Sequence, residues 1–126
     1  MSYQLTITQK PAYLHAIVTG KNSKENVAAY IEELQREVTG QSCRHLLIEE
    51  RLEGPRLRAI DVFNIVSEAS YRSQRNFEAI AYVDVYAEGS AMKFAETVAV
   101  NRGVSVLVFS SVRDAEKWLL DQSDAA

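Results

Sequence analysis

Three glutamates crowd the end of one short apolar run. Leu46-Leu47-Ile48 leads at once into Glu49, Glu50 and Glu53, and a second run from Phe77 to Val85 carries Asp84, with Glu88 just beyond it. Carboxylates converging from two neighbouring strand ends could share a proton for acid-base chemistry or hold a hard cation. The trio Glu49, Glu53 and Asp84 is the best case for catalysis that the chain offers. Arg51, Arg56 and Arg58 stand beside it, so ion pairs and charge at a helix N-terminus also account for these residues without any reaction.

Other reactive side chains are sparse. Cys43 and His45 would share one side of a strand, but they sit at its start, and no orienting acid or oxyanion donor accompanies them. His15 lies inside the apolar segment Leu14-His15-Ala16-Ile17, where a hydrogen-bonded strand histidine is expected. Two isolated histidines and one cysteine make no metal constellation, so no metal and no cofactor is expected. Gly54, Gly89 and Gly103 are isolated, and no phosphate-binding glycine pattern follows any strand. Tyr71, Phe77, Tyr82 and Tyr86 lack interleaved basic residues and read as core or interface, with no platform for single-stranded nucleic acid. Between His45 and Ser67 there is no Ser, Thr, Cys, Tyr, Lys or His. In an open α/β sheet, ligands gather outside the carboxyl ends of the strands, so a turn there without nucleophile or base argues against catalysis.

The whole chain bounds the possibilities further. Its 126 residues, 47% hydrophobic and 25% charged, suit one soluble domain spanning 1–126. A formal charge of −3 offers no general attraction for nucleic acid. Six arginines fall between Arg44 and Arg75, but Glu49, Glu50, Glu53, Asp61 and Glu68 are interleaved with them and compensate their charge. A lone cysteine rules out an intrachain disulfide and suits a reducing interior. No signal-like start is seen, and no stretch nears the ~20 apolar residues that span a bilayer, so a cytoplasmic protein without integral membrane association is expected.

The elements that must position these residues follow from periodicity. Tyr3–Thr8 and Ala12–Thr19, separated by Lys10-Pro11, read as an antiparallel hairpin. Asn22 or Ser23 can cap a helix carrying Val27, Tyr30, Ile31, Leu34 and Val38, closed by Gly40. After the strand at 46–48 a helix is expected from Pro55 or Arg56 to Tyr71, then a strand at Phe77–Val85 and a helix at Glu88–Asn101. A last strand is expected at Val104–Phe109, then a helix capped by Ser110 or Ser111 that carries Val112, Ala115, Trp118 and Leu119, with residues 122–126 frayed. The fold class is α/β: four successive β-α units forming a mainly parallel sheet, preceded by an antiparallel hairpin strand.

The second helix is too apolar for a one-sided surface helix. Ala59, Ile60, Val62, Phe63, Ile65, Val66 and Ala69 spread over roughly 220° of its circumference. The first helix, or the last one with Trp118, could cover the excess inside the monomer. A two-fold homodimer through this helix is the second possibility. The third is a cavity for an apolar ligand beneath it, lined by Leu52, Leu57, Ile60, Phe63 and Val66.

From Pro11 to Leu120 the chain resembles the SpoIIAA-like, STAS-type family of small bacterial domains, in its uncharacterised STAS/Sec14-like branch. The resemblance rests on Phe77-Glu78-Ala79-Ile80-Ala81-Tyr82-Val83-Asp84, on Gly103-Val104-Ser105-Val106-Leu107-Val108-Phe109 and on Ala115-Glu116-Lys117-Trp118-Leu119. It implies a non-enzymatic binding or protein-interaction role, with a Sec14-like affinity for an apolar or lipid ligand as a further expectation. In the regulatory members it also implies a phosphorylatable Ser in the turn that corresponds to Glu49–Arg58. That turn has no hydroxyl, which disfavours a phospho-regulated antagonist unless Ser42, Ser67 or Ser90 takes the role.

Overall fold

A computed structural model describes residues 3–38, 44–55, 57–73, 78–84, 89–101 and 105–124. The strands are β1 (Tyr3–Gln9), β2 (Leu14–Lys21), β3 (His45–Glu53), β4 (Ala79–Asp84) and β5 (Val106–Phe109), and the helices are α1 (Lys24–Val38), α2 (Ala59–Ser73), α3 (Gly89–Asn101) and α4 (Val112–Asp124). They form one five-stranded sheet in the order β1-β2-β3-β4-β5, with β1 antiparallel to β2 and every later pair parallel. The expected α/β architecture is the one observed.

Sequential parallel strands joined by right-handed crossovers place all their connecting helices on one face of the sheet. Accordingly Val27, Tyr30, Leu34 and Val38 of α1, Ile65 and Val66 of α2 and Ala99 of α3 pack with Leu14, Ala16, Val18, Leu46, Ile48, Leu52 and Ile80. The alternate strand residues Leu47, Ala79, Ala81 and Val83 point the other way and meet Ala115, Trp118 and Leu119 of α4. Burial on both faces explains why β3 and β4 open as continuous apolar runs. α4 packs against β3, β4 and β5. The first helix is capped by Ser23, whose Oγ accepts from the Asn26 amide at 3.1 Å, and the last by Ser111, whose Oγ accepts from the Asp114 amide at 3.2 Å.

Several boundaries differ from the sequence reading. The strand expected at 46–48 runs on to Glu53, where the Glu53 carbonyl accepts from the Asn22 amide at 2.7 Å. Helix α2 starts at Ala59 and not at Pro55 or Arg56, because Gly54 adopts φ 115° and the Pro55 carbonyl is taken by Asn22 Nδ2 at 2.8 Å. The strand expected from Phe77 to Val85 is Ala79–Asp84, and the end expected to fray is helical to Asp124. Trp118 cannot cover α2, since it stacks on Phe109 across the opposite face, with ring centroids 5.8 Å apart. The first helix, the other expected cover, does pack against α2, with Gln35 Nε2 donating to the Ala69 carbonyl at 3.0 Å, and α3 flanks it on the other side.

Because α4 is the one helix among the described residues that closes its face, truncating the fully buried Leu119 to Ala should cost about 2–5 kcal/mol, read as a lower midpoint in urea unfolding.

Candidate functional site

Successive residues of a strand face opposite ways, and that period decides the fate of the acidic cluster. Along β3, Glu50 and Leu52 face the α1–α2–α3 layer, while Glu49 faces the α4 side. Asp84 is level with Glu50 in the parallel register, and both are buried at the carboxyl edge of the sheet. Glu49 is level with Val83, on the far face from Asp84. Glu53 is exposed. The expected convergence of Glu49, Glu53 and Asp84 therefore does not occur: the sheet lies between them. Glu88, the fifth acid of the expected group, lies outside the described residues. Among the described residues no group of three or more His, Cys, Asp or Glu side chains could hold a metal ion.

Each buried glutamate has its own partners. Glu50, only 3% exposed, accepts through Oε2 from the hydroxyl of Tyr30 on α1 and from that of Tyr82 on β4, the latter at 2.5 Å. Tyr30 is fully buried and its ring stands 6.5 Å from that of Tyr3. Burial, then the negative charge of Glu50, raises both phenols well above their ordinary pKa. They stay protonated and donate. On the other face Glu49 Oε1 lies 2.8 Å from His15 Nε2, and Oε2 accepts from Arg51 Nε. Burial alone would raise the Glu49 pKa, but the hydrogen bonds from Arg51 and His15 outweigh it and hold the carboxyl below its usual value. Beside it Tyr13 donates to Glu116 of α4, and burial followed by that bond pushes its phenol up to about 12.

The edge above these glutamates is tied by two asparagines. Asn22 Nδ2 donates to the Pro55 carbonyl and Asn26 Nδ2 to the Lys21 carbonyl, both at 2.8 Å, so the β2–α1 and β3–α2 turns are one hydrogen-bonded frame. Among the five apolar candidates, Leu52 is fully buried, and Leu57 and Val66 are partly buried against the main core. Ile60 and Phe63, 55% and 37% exposed, reach the surface in the first turns of α2, beside the exposed ion pair of Arg58 and Asp61 at 3.2 Å.

The remaining sequence candidates contribute less. His45 lies 3.6 Å from Glu78, while Cys43, its expected neighbour, lies outside the described residues, as do Ser42, Phe77 and Tyr86. The side chains of Tyr71 and Ser90 are likewise not described. The Ser67 hydroxyl is buried without a hydrogen-bond partner among the described residues. Tyr30 and Tyr82 were missed as polar groups, since in sequence both look like core aromatics. The available signal was a glutamate on an inward strand position, which requires a donor from the covering helix.

No protein-family model matches the chain, and no curated protein does. Among solved structures it is similar to a variant of RsbS from Moorella thermoacetica, with a TM-score of 0.61 over 96% of this chain and 98% of that one at 15% identity. It is also similar to an uncharacterised DUF3478-family protein with a SpoIIAA-like fold from Shewanella loihica PV-4, with a TM-score of 0.56 over 94% of both chains at 21% identity. The chain thus has the SpoIIAA-like, STAS-type fold.

Two measurements test the buried site. Tyr30→Phe removes one donor from Glu50 and should cost about 1–3 kcal/mol in urea unfolding. In an alkaline spectrophotometric titration, Tyr30 and Tyr82 should ionise well after an exposed phenol. Their folded pKa values are raised, so the stability they contribute is complete below their ordinary value of 10.0 and is lost as pH climbs through the folded values. Glu49 has the opposite sign. Its depressed pKa contributes stability above the ordinary 4.5 that is lost on acidification, so the penalty of Arg51→Gln should shrink as pH falls through the carboxylate range.

Proposed function

We propose that this chain is a non-catalytic STAS-like interaction domain of a reducing, cytoplasmic compartment, which docks a protein partner at the corner where β3 turns into α2. One observation carries the reading. At the strand ends where this class of sheet gathers ligands, Asn22, Glu50, Tyr30 and Tyr82 are hydrogen-bonded within the protein, and among the described residues the large apolar side chains exposed nearby are Ile60 and Phe63. An apolar pair flanked by Arg58, Asp61 and Asn64 has the make-up of a small protein interface, an apolar centre with a polar rim of both charges. It suits a protein better than a lipid: Leu52 fills the interior below it, and the rim has no excess of positive charge to favour an anionic membrane.

A photoreactive amino acid at Ile60 or Phe63, with a control at Arg113 on α4, tests this in cells. The expected result is a protein crosslinked from α2 and not from the control. Once purified, that partner should bind the Ile60→Asp variant about tenfold or more weakly than the wild type, with far-UV circular dichroism unchanged. Equal binding by the two would overturn the reading. A crosslink to a second copy would reassign α2 to self-association, and lipid co-purifying in native mass spectrometry would reassign it to an apolar ligand.

A further inference from the structure

The outer edge of β1 is a second surface, independent of the α2 corner. β1 has β2 on one side and, among the described residues, no strand on the other. Natural edge strands are usually protected from pairing by shortness, charge, proline or a bulge. The opposite edge, β5, is four residues long. β1 is seven residues, Tyr-Gln-Leu-Thr-Ile-Thr-Gln, with no charge, no proline and an uninterrupted register against β2. It has none of these protections.

The register shows which backbone groups point outward. Lys10 donates to the Tyr13 carbonyl at 2.9 Å, and Lys10 and Tyr13 continue the pairing that sets Gln9 against Leu14 and Thr8 against His15. Hydrogen-bonded pairs alternate in an antiparallel ladder, so Thr8, Thr6 and Gln4 bond to β2. The N–H and C=O groups of Tyr3, Leu5, Ile7 and Gln9 therefore face away from the sheet, in a row that only another extended strand can match.

We infer that β1 pairs with β1 of a second copy of this chain, antiparallel about a two-fold axis at Thr6. That axis sets Leu5 of one copy against Ile7 of the other, and Tyr3 against Gln9. Outward-facing groups then meet outward-facing groups, and each pair exchanges both of its backbone bonds. The side chains agree as well. Leu5 and Ile7, which pack toward the α1 layer, meet their counterparts on that face, while the exposed Gln4, Thr6 and Thr8 meet on the other, with Thr6 against Thr6. Cross-strand pairs of Thr with Thr and of aliphatic residues are favourable, and a two-fold contact requires this self-complementarity. An axis at Leu5 or Ile7 would also match the backbone groups, but it would leave one end of the seven-residue strand unpaired.

Charge at the axis tests the pairing. Thr6 is exposed, so Thr6→Lys and Thr6→Glu should each leave the monomer folded by circular dichroism while placing two like-charged side chains directly opposite each other, on Cα atoms about 4.5 Å apart across the axis. By analytical ultracentrifugation the wild type should be a dimer at micromolar to sub-millimolar concentration, and each variant should dissociate about tenfold or more readily. An equimolar mixture of the two variants should recover the dimer. A monomeric wild type, a Thr6→Lys variant as dimeric as the wild type, or a mixture that stays monomeric would each overturn the inference. Ile60→Asp should leave the dimer intact, which separates this edge from the surface on α2.

Discussion

The carboxyl edge of this fold depends on one carboxylate that has left water. Glu50 sits under α1 at 3% exposure, where an ionised group without partners would be driven to neutralise or to open the structure. Two phenols donate to it, and they come from different elements: Tyr30 brings α1 down onto the sheet, and Tyr82 ties β4 to β3. A hydrogen bond to a charged acceptor is the strong kind, and removing one partner of a buried charge costs more than the bond itself gains. The network therefore fixes geometry more than it adds stability. It holds the ends of β3 and β4 level, and the start of α2 inherits its position from the end of β3.

The same period of two that brings Glu50 to its tyrosines takes Glu49 away from them. Adjacent in sequence, the two glutamates face opposite layers and have no partner in common. Glu49 is ionised and held between His15 and Arg51, which suits an anchor and not a base that must take up and release protons near neutrality. What looked in sequence like one acidic cluster is two salt-bridge or hydrogen-bond networks separated by the sheet. This division is the physical argument against acid-base chemistry shared by Glu49 and Asp84.

Most of the fold was legible because the local signals agree with one another. The hairpin, the alternation of strand and helix and the caps at Ser23 and Ser111 each have a local cause. The extent of β3 was not legible. Charged residues in Glu49-Glu50-Arg51 obscure strand periodicity, and only His15, Tyr30 and Tyr82, distant in sequence, make those residues tolerable inside. The start of α2 was hidden for a similar reason, since the Pro55 carbonyl is claimed by Asn22, 33 residues earlier. Of the two covers expected for the apolar arc on α2, the first helix does pack against it, and the last does not, because the face chosen by α4 is a property of topology. Of the five apolar candidates, exposure singles out Ile60 and Phe63, a distinction that only packing against the strands could make.

The sheet order connects the two proposed surfaces. A two-fold axis that joins β1 to β1 runs perpendicular to the sheet, so it keeps every helix on its own side. Both α2 helices then lie on one face of the doubled sheet, with both α4 helices on the other. The axis reverses the strand direction, so the Ile60 and Phe63 corners, at the carboxyl ends of the strands, would lie on the same face but at opposite ends of the doubled sheet. Two weak docking sites held this way would meet a repetitive or dimeric partner at high effective concentration if its spacing matched theirs, and avidity could then exceed either single affinity without any new contact. A corner that exposes only two apolar side chains is a small interface for a monomer. Paired along β1, it would be one of two separate sites on the same face, which would link the unprotected edge to the proposed docking surface.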